Sequence, residues 1–287
     1  MATLTINFTP ASTPPANGYI VKYRKVGDPL YTVISPNPTA SPVIVSGLIS
    51  GQYEGSVQSS CGSVNGAEIP FLSNTLDCSV GIDMVFVLDT TGSMGNTIAN
   101  LKASLSTYVS KVVEKSNNNY RLALVTVNEG SGGPAIIGRP LLFSANNSAD
   151  LQTALSPVAA SGGGAEPEPT DLALSWVLSN ADNYVGAFRP GVVKIIVLMT
   201  DARPSGGDDI YGPADVTTAG TVALTAGTMG VRIFALNVGI GLGIPEVVNT
   251  MQNYATSSYG VYSESATGVV ANNIITALDA LCSNNAL

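Results

Sequence analysis

The chain has no histidine among its 287 residues. That absence excludes a Ser-His-Asp or Cys-His nucleophile and any zinc site held by imidazole. Charge is scarce too. Asp, Glu, Lys and Arg make up 11% of the chain, with 12 basic against 20 acidic groups and a net charge of −8. A phosphate backbone is bound by clustered Lys and Arg, so this balance argues against nucleic acid as a partner. No apolar run approaches the roughly 18–20 residues that span a bilayer, and no membrane insertion is expected. The opening segment MATLTINFTP has neither a basic n-region nor an apolar h-region and does not read as a signal peptide. Either the chain is a mature form, or the protein leaves its cell by another route, such as assembly into a phage particle or lysis.

Hydrophobic residues nevertheless reach 45%, enough to exclude disorder by composition. The length suits one large domain or two ordinary ones, each able to bury a core. With so few charges, the surface must be covered largely by Ser, Thr, Asn and Gly. Such a surface fits extracellular or virion proteins better than cytosolic enzymes.

The composition changes near Cys78. Before it, turn residues such as Pro10, Pro14, Pro15, Gly18, Pro29, Pro36, Pro38 and Pro42 separate short alternating segments; after it, apolar strands alternate with amphipathic stretches of helix length. The first 78 residues carry 3 basic and 4 acidic groups, the remainder 9 and 16. Two domains are therefore expected, 1–77 and 78–287. In the first, strands are expected over Leu4–Phe8, Gly18–Arg24, Leu30–Ile34, Val43–Val45 and Tyr53–Gln58, which together suggest an all-β sandwich. In the second, Gly81–Leu88 and Val192–Thr200 are nearly continuous in apolar residues, as expected of central parallel strands covered on both faces. Further strands are expected over Arg121–Val127, Pro140–Phe143, Val231–Val238 and Gly260–Tyr262. Helices are expected over Gly95–Lys115, from Thr170 to Leu178, over Ala214–Met229 and over Thr267–Leu281. The fold class is thus α/β, a doubly wound and mostly parallel sheet, with a smaller N-terminal β-sandwich. Ligands of such a sheet sit beyond the carboxyl ends of its strands.

Those ends carry the candidate chemistry. The first apolar strand runs into Asp89-Thr90-Thr91-Gly92-Ser93-Met94, and Asp201 follows the strand that ends at Thr200. One parallel sheet therefore delivers Asp89 and Asp201 to a common crevice, with the hydroxyls of Thr91 and Ser93 two residues apart in the loop between strand and helix. Hard oxygens with only two carboxylates suit a magnesium ion that keeps some of its waters. A lone D-x-T-x-S is common in loops; its position after a buried strand, a second strand-end Asp and the run Gly162-Gly163-Gly164 make this one informative. Gly239-Ile240-Gly241-Leu242-Gly243 resembles a dinucleotide loop only superficially, lacking the later acid of that fingerprint, and reads as a flexible strand-to-helix turn. Asp208 and Asp209 read as a solvated loop tip.

Taken together, these residues resemble a von Willebrand factor type A domain over roughly 79–287, with its metal-ion-dependent adhesion site. The resemblance implies that Asp89, Thr91 and Ser93 form the first metal loop and Asp201 belongs to the third. It also implies a bound Mg²⁺, or Ca²⁺ or Mn²⁺, with one position open for a carboxylate of a protein partner. The second loop departs from the pattern: in Gly162-Gly163-Gly164-Ala165-Glu166-Pro167-Glu168, Ala165 stands where many members have a ligating Asp. Glu166 or Glu168 could substitute, directly or through a water, or the site could be weak; Thr170 is expected to cap the following helix with Asp171 in its first turn. Residues 2–75 resemble a fibronectin type III module, with Leu48 and Tyr53 in the places of its tyrosine corner and Phe8 where a buried Trp often stands. Almost no chain precedes Leu4 to form the usual first strand, so the edge is either open to a partner strand or short and protected. Some type A domains tie their neighbouring termini together, which implies a Cys78–Cys282 disulfide; Cys61 could compete for Cys78, or all three thiols could be reduced.

The expected function is non-enzymatic: metal-dependent adhesion to a protein that offers an acidic side chain, extracellular or in a virion, with the bacterial cell surface as the alternative place. Other virion or surface proteins are the candidate partners. Two other readings stay open, a purely structural assembly protein with a vestigial metal site and an accessory subunit of a cytosolic ATPase.

Overall fold

The computed structural model describes residues 2–6, 8–25, 28–48, 53–62, 64–72, 76, 78–129, 135–163, 167–206, 208 and 210–282. Two compact units divide the chain, Met1–Asp77 with Ala280–Leu287, and Cys78–Asp279. The chain's end joins the first unit through Leu76, whose N–H donates to the Leu281 carbonyl at 2.6 Å.

The first unit is all β. Strand β1 (Ala2–Ile6) pairs antiparallel with β4 (Val43–Leu48), while β2 (Tyr19–Lys25) lies between β3 (Thr32–Val33) and β5 (Tyr53–Cys61). Strands β6 (Val64–Asn65) and β7 (Ile69–Leu72) both pair with β5 and go beyond the sequence reading. Pro70 hides β7 from a propensity argument. Proline, lacking an N–H, is tolerated at an edge, and β7 pairs with β5 alone among the described strands. Alternation builds the core: Leu4, Ile6, Tyr19, Val21, Val43, Tyr53 and Val57 are buried together. The opposite face of β2 turns Lys22 toward Glu68 at 2.6 Å and Arg24 toward Glu54 at 2.7 Å.

In the second unit, six strands run in the order β10 (Ala135–Ala145), β9 (Tyr120–Glu129), β8 (Ile82–Asp89), β11 (Val193–Thr200), β12 (Val231–Val238) and β13 (Val261–Ser265). All neighbours are parallel except β10 on β9. Every residue of β8 and β12 is buried, which is why these strands read as unbroken apolar runs. The helices are α1 (Gly95–Ala103), α2 (Leu105–Lys115), α3 (Ser148–Leu155), α4 (Thr170–Ser179), α5 (Pro213–Thr228), α6 (Pro245–Ser257) and α7 (Ala271–Leu281). On one face, Val85, Val87, Ile196, Leu198, Ile233 and Ala235 pack against Leu174 and Val177 of α4, Val222 and Ala223 of α5, and Val247 and Met251 of α6. On the other, Phe86 meets Tyr108 of α2 at 5.5 Å between ring centroids.

The helix expected over Gly95–Lys115 is two helices, broken at Ser104 (φ −104°, ψ 5°). The apolar stripe Ile98, Leu101, Leu105, Tyr108, Val109, Val112 stays buried across the break, so periodicity alone conceals it. Helices α3 and α6 were not expected. In α6, Pro245 occupies a first-turn position suited to its missing N–H, and Val247, Met251, Tyr254 and Ala255 form the buried face. At the amino end of β8, the buried Asp83 accepts bonds from Arg121 Nε at 3.0 Å and from Arg189 N and Nε at 2.7 and 2.8 Å.

Candidate metal centre

Strand β8 lies at the centre of the sheet, with β9 on one side and β11 on the other, and the register pairs Leu88 with Met199. Thr200 therefore stands beside Asp89, and Asp201 one residue past the strand end. The acids lie 112 positions apart in sequence but on one sheet edge, as their strand-end positions predict.

Asp89 is fully buried and held by three donors. Its Oδ1 accepts the Thr91 N–H at 2.9 Å and the Thr91 hydroxyl at 2.7 Å, and its Oδ2 accepts the Thr200 hydroxyl at 2.7 Å. Thr200 in turn accepts the Ala202 N–H at 3.1 Å. Burial pushes the Asp89 carboxyl up to about 6 against the pull of those hydrogen bonds, with the Asp201 charge adding to the rise. The Ser93 hydroxyl donates to Asp201 Oδ1 at 2.9 Å and lies 3.5 Å from Thr91 Oγ1. Asp89, Thr91, Ser93 and Asp201 are thus brought together into one chain of oxygens, with Thr91 and Asp201 buried and Ser93 facing solvent. All are hard donors, and a buried carboxyl whose ionisation burial opposes is the environment that a cation relieves; the residues fit a divalent ion.

The second loop is stitched to both neighbours. Gly92 N–H donates to the Gly162 carbonyl at 3.1 Å and Ser161 N–H to the Thr90 carbonyl at 2.9 Å. Further along, Glu168 N–H donates to the Arg203 carbonyl at 2.8 Å and Ser205 N–H to the Glu168 carbonyl at 3.0 Å. Ala165 and Glu166 lie outside the described residues. Glu168, the other acid weighed in this loop, is buried. A Cβ added to Gly163 (φ +76°) would lie 2.8 Å from Thr91 Cβ and 3.3 Å from Glu168 Oε1, so the Glu168 carboxylate lies across that glycine from Thr91. Its spacing from Asp89 carries no sequence signal; the short ladder with Arg203 and Ser205 positions it.

Thr170 is the first residue of α4 and makes no capping bond from its side chain; Pro169 takes the cap position. Asp171 does fall in the first turn, where its Oδ1 accepts the Gly206 N–H at 3.0 Å and tethers the third loop. Asp208 is exposed; Asp209 lies outside the described residues. The glycine turn Gly239–Gly243 is a 3-10 helix packed on Asp201: a Cβ on Gly241 would fall 2.8 Å from both Cα and the carbonyl oxygen of Asp201. Close approach, more than flexibility, explains the glycine there. Cys78 and Cys282 are disulfide-bonded, and Cys61 is exposed and free. No helix of the described residues is long and apolar enough to cross a membrane.

The sequence model of the von Willebrand factor type A domain family matches residues 83–269. Among solved structures, proximal thread matrix protein 1 from the mussel byssus is similar with a TM-score of 0.50 at 17% identity, over 69% of this chain and 47% of that one. The pilus adhesin SpaC from Lactobacillus rhamnosus GG is similar with a TM-score of 0.50 at 14% identity, over 96% of this chain and 36% of that one. The chain spans less than half the length of either structure. No curated protein matches it. A family match over more than half of the chain, on a sheet whose carboxyl edge gathers Asp89, Thr91, Ser93 and Asp201, places the chain in the von Willebrand factor type A domain family.

Proposed function

We propose that this chain is a non-enzymatic adhesion protein that recognises a partner's carboxylate through a divalent cation held by Asp89, Thr91, Ser93 and Asp201. Type A domains typically mediate protein binding through such a site. The observation that carries the reading is the run of oxygens from Asp89 Oδ1 through Thr91 and Ser93 to Asp201 Oδ1, in steps of 2.7, 3.5 and 2.9 Å. Two carboxylates and two hydroxyls are too few to fill an octahedron, which leaves room for water and for one oxygen from outside. Mg²⁺ suits this set best, with Ca²⁺ or Mn²⁺ able to replace it. When bound, the cation supplies the positive charge that offsets stripping water from the partner's carboxylate. Glu168 is the better supported second-loop acid, acting directly or through a water; Glu166 stays as a solvent-side contributor.

Mn²⁺ titration followed by electron paramagnetic resonance tests the metal reading. The wild-type chain takes up the ion, and Asp89→Ala and Asp201→Ala each weaken uptake by at least about 10–100-fold while keeping the native circular dichroism. Uptake equal in all three chains removes the mechanism. It leaves the assembly role that Ala165 motivates.

The neutral surface, rich in Ser, Thr, Asn and Gly, favours a virion appendage or a bacterial surface protein, and mass spectrometry of purified virions and of shaved cell surfaces separates these places. The first unit is a fibronectin type III-like module in this reading. Supporting it are two antiparallel sheets, β1 with β4 and β2 with β3, β5 and β7, around a shared apolar core that includes the buried Tyr53. A crystal structure that merges these strands into one continuous sheet rules the module out. Cys78 pairs with Cys282 in the same proposal, closing a loop of about 200 residues that stabilises by about 5 kcal/mol in the chain-entropy model. Non-reducing peptide mapping is expected to recover the two cysteines in one linked peptide; free thiols at both positions refute the pairing.

A further inference from the structure

Two large aliphatic side chains stand in water on the loops that flank Asp201. Ile240 is 63% exposed and Ile210 is 71% exposed. Ile240 lies between Gly239 and Gly241, and both glycines are pressed against the third loop. A Cβ on Gly239 would fall 3.5 Å from Asp201 Oδ2, and one on Gly241 2.8 Å from Asp201 Cα. The turn is thereby fixed against Asp201, and Ile240 is held at the rim of the site. Ile210 belongs to the loop that Asp201 begins. Its N–H is anchored by Asp208 Oδ1 at 3.0 Å, and the neighbouring Tyr211 ring lies 5.0 Å from the guanidinium of Arg203, two residues from Asp201. Exposing two isoleucines at one rim is costly in water and is relieved by apolar cover.

Charge narrows what can provide that cover. Asp89, Glu168 and Asp201 bring three carboxylates to the site, and one divalent ion offsets two of their charges. Asp208 adds a further exposed acid on the third loop. A ligand with several acids in a row meets net repulsion there, whereas a single carboxylate between apolar neighbours does not. Apolar neighbours also exclude water from the contact between ion and carboxylate, which strengthens it.

We propose that the partner presents one acidic residue flanked by aliphatic side chains, its carboxylate meeting the cation and its neighbours covering Ile240 and Ile210. This inference rests on the metal-dependent reading above. Three capped peptides test it on the full chain with Mn²⁺, by competitive fluorescence polarisation. Their centres are Leu-Glu-Leu, Ser-Glu-Ser and Glu-Glu-Glu, and spin resonance follows occupancy by the ion in parallel. The Leu-flanked peptide is expected to bind at least about tenfold tighter than the Ser-flanked one, the gain typical of a modest apolar contact. The double substitution Ile210→Ser with Ile240→Ser removes that advantage and leaves Mn²⁺ uptake and the Ser-flanked peptide unchanged. Equal binding of the first two peptides overturns the proposal, as does tightest binding of the tri-acidic one, an advantage that survives in the double variant, or no peptide binding at millimolar concentration with the ion bound. If Mn²⁺ does not bind the wild-type chain, the metal reading itself fails, and this proposal with it.

Discussion

Asp83→Ala destabilises the protein by about 3 kcal/mol, the lower end of the range for breaking a buried ion pair. The measurement is the urea midpoint by circular dichroism, with the slope of the transition unchanged. Asp83 is fully buried as the second residue of β8. Arg121 and Arg189 converge on it from β9 and from the segment before β11, and Arg189 adds its backbone N–H at 2.7 Å. Truncation leaves two guanidiniums facing an empty, desolvated space. The arginine side chains keep 18% and 28% of their exposure, so water relieves part of the loss and the estimate stays at the lower end. Mn²⁺ uptake by the folded variant is expected to match wild type, because Asp83 and Asp89 occupy opposite ends of one strand. A loss under about 1 kcal/mol would show that the network is held by Asn119 and backbone carbonyls rather than by the carboxylate.

Without metal, Asp89 makes the protein less stable as the pH rises. Its folded carboxyl titrates at about 6, above the ordinary 3.8, chiefly because burial opposes the charge. Between those values the folded chain holds a proton that the unfolded chain has released, so stability falls as pH rises through this window and levels off above pH 6. The full effect is about 3 kcal/mol, from a displacement of roughly two pH units. Other acids also titrate here, so the expected signal is the difference between wild type and Asp89→Asn, measured from pH 4 to pH 7 in EDTA. That difference should move against the wild type as pH rises, and saturating Mg²⁺ should restore the wild type at pH 7 while leaving Asp89→Asn unchanged. A flat difference contradicts a desolvated Asp89; an equal Mg²⁺ effect on both chains contradicts its part in the site.

The two units differ in how legibly their elements are written. In the second, burial on both faces makes strands such as β8 and β11 continuous apolar runs, and one-sided burial gives α2 and α7 their helical spacing; these signals are local. The break at Ser104 escapes because the stripe passes through it intact. Helices α3 and α6 are short and interleave polar residues with few apolar anchors, so their periodicity is faint. In the first unit, β6 and β7 have little apolar alternation of their own and are defined by pairing with β5. The cap expected at Thr170 fails for a local reason, since Pro169 occupies the cap position and the threonine begins the helix.

By itself the sequence determined the class of the fold, the strand ends on which Asp89 and Asp201 stand, and the loop hydroxyls of Thr91 and Ser93, because strand burial and loop composition are properties of neighbouring residues. Tertiary structure alone decided the rest. Thr200 locks Asp89 through the register of β8 with β11, Glu168 reaches the site through a ladder with Arg203 and Ser205, and Ile240 is displayed by glycines pressed onto Asp201. Each depends on which strands lie side by side and how closely two backbones approach, and no local periodicity encodes contacts between segments separated by tens of residues.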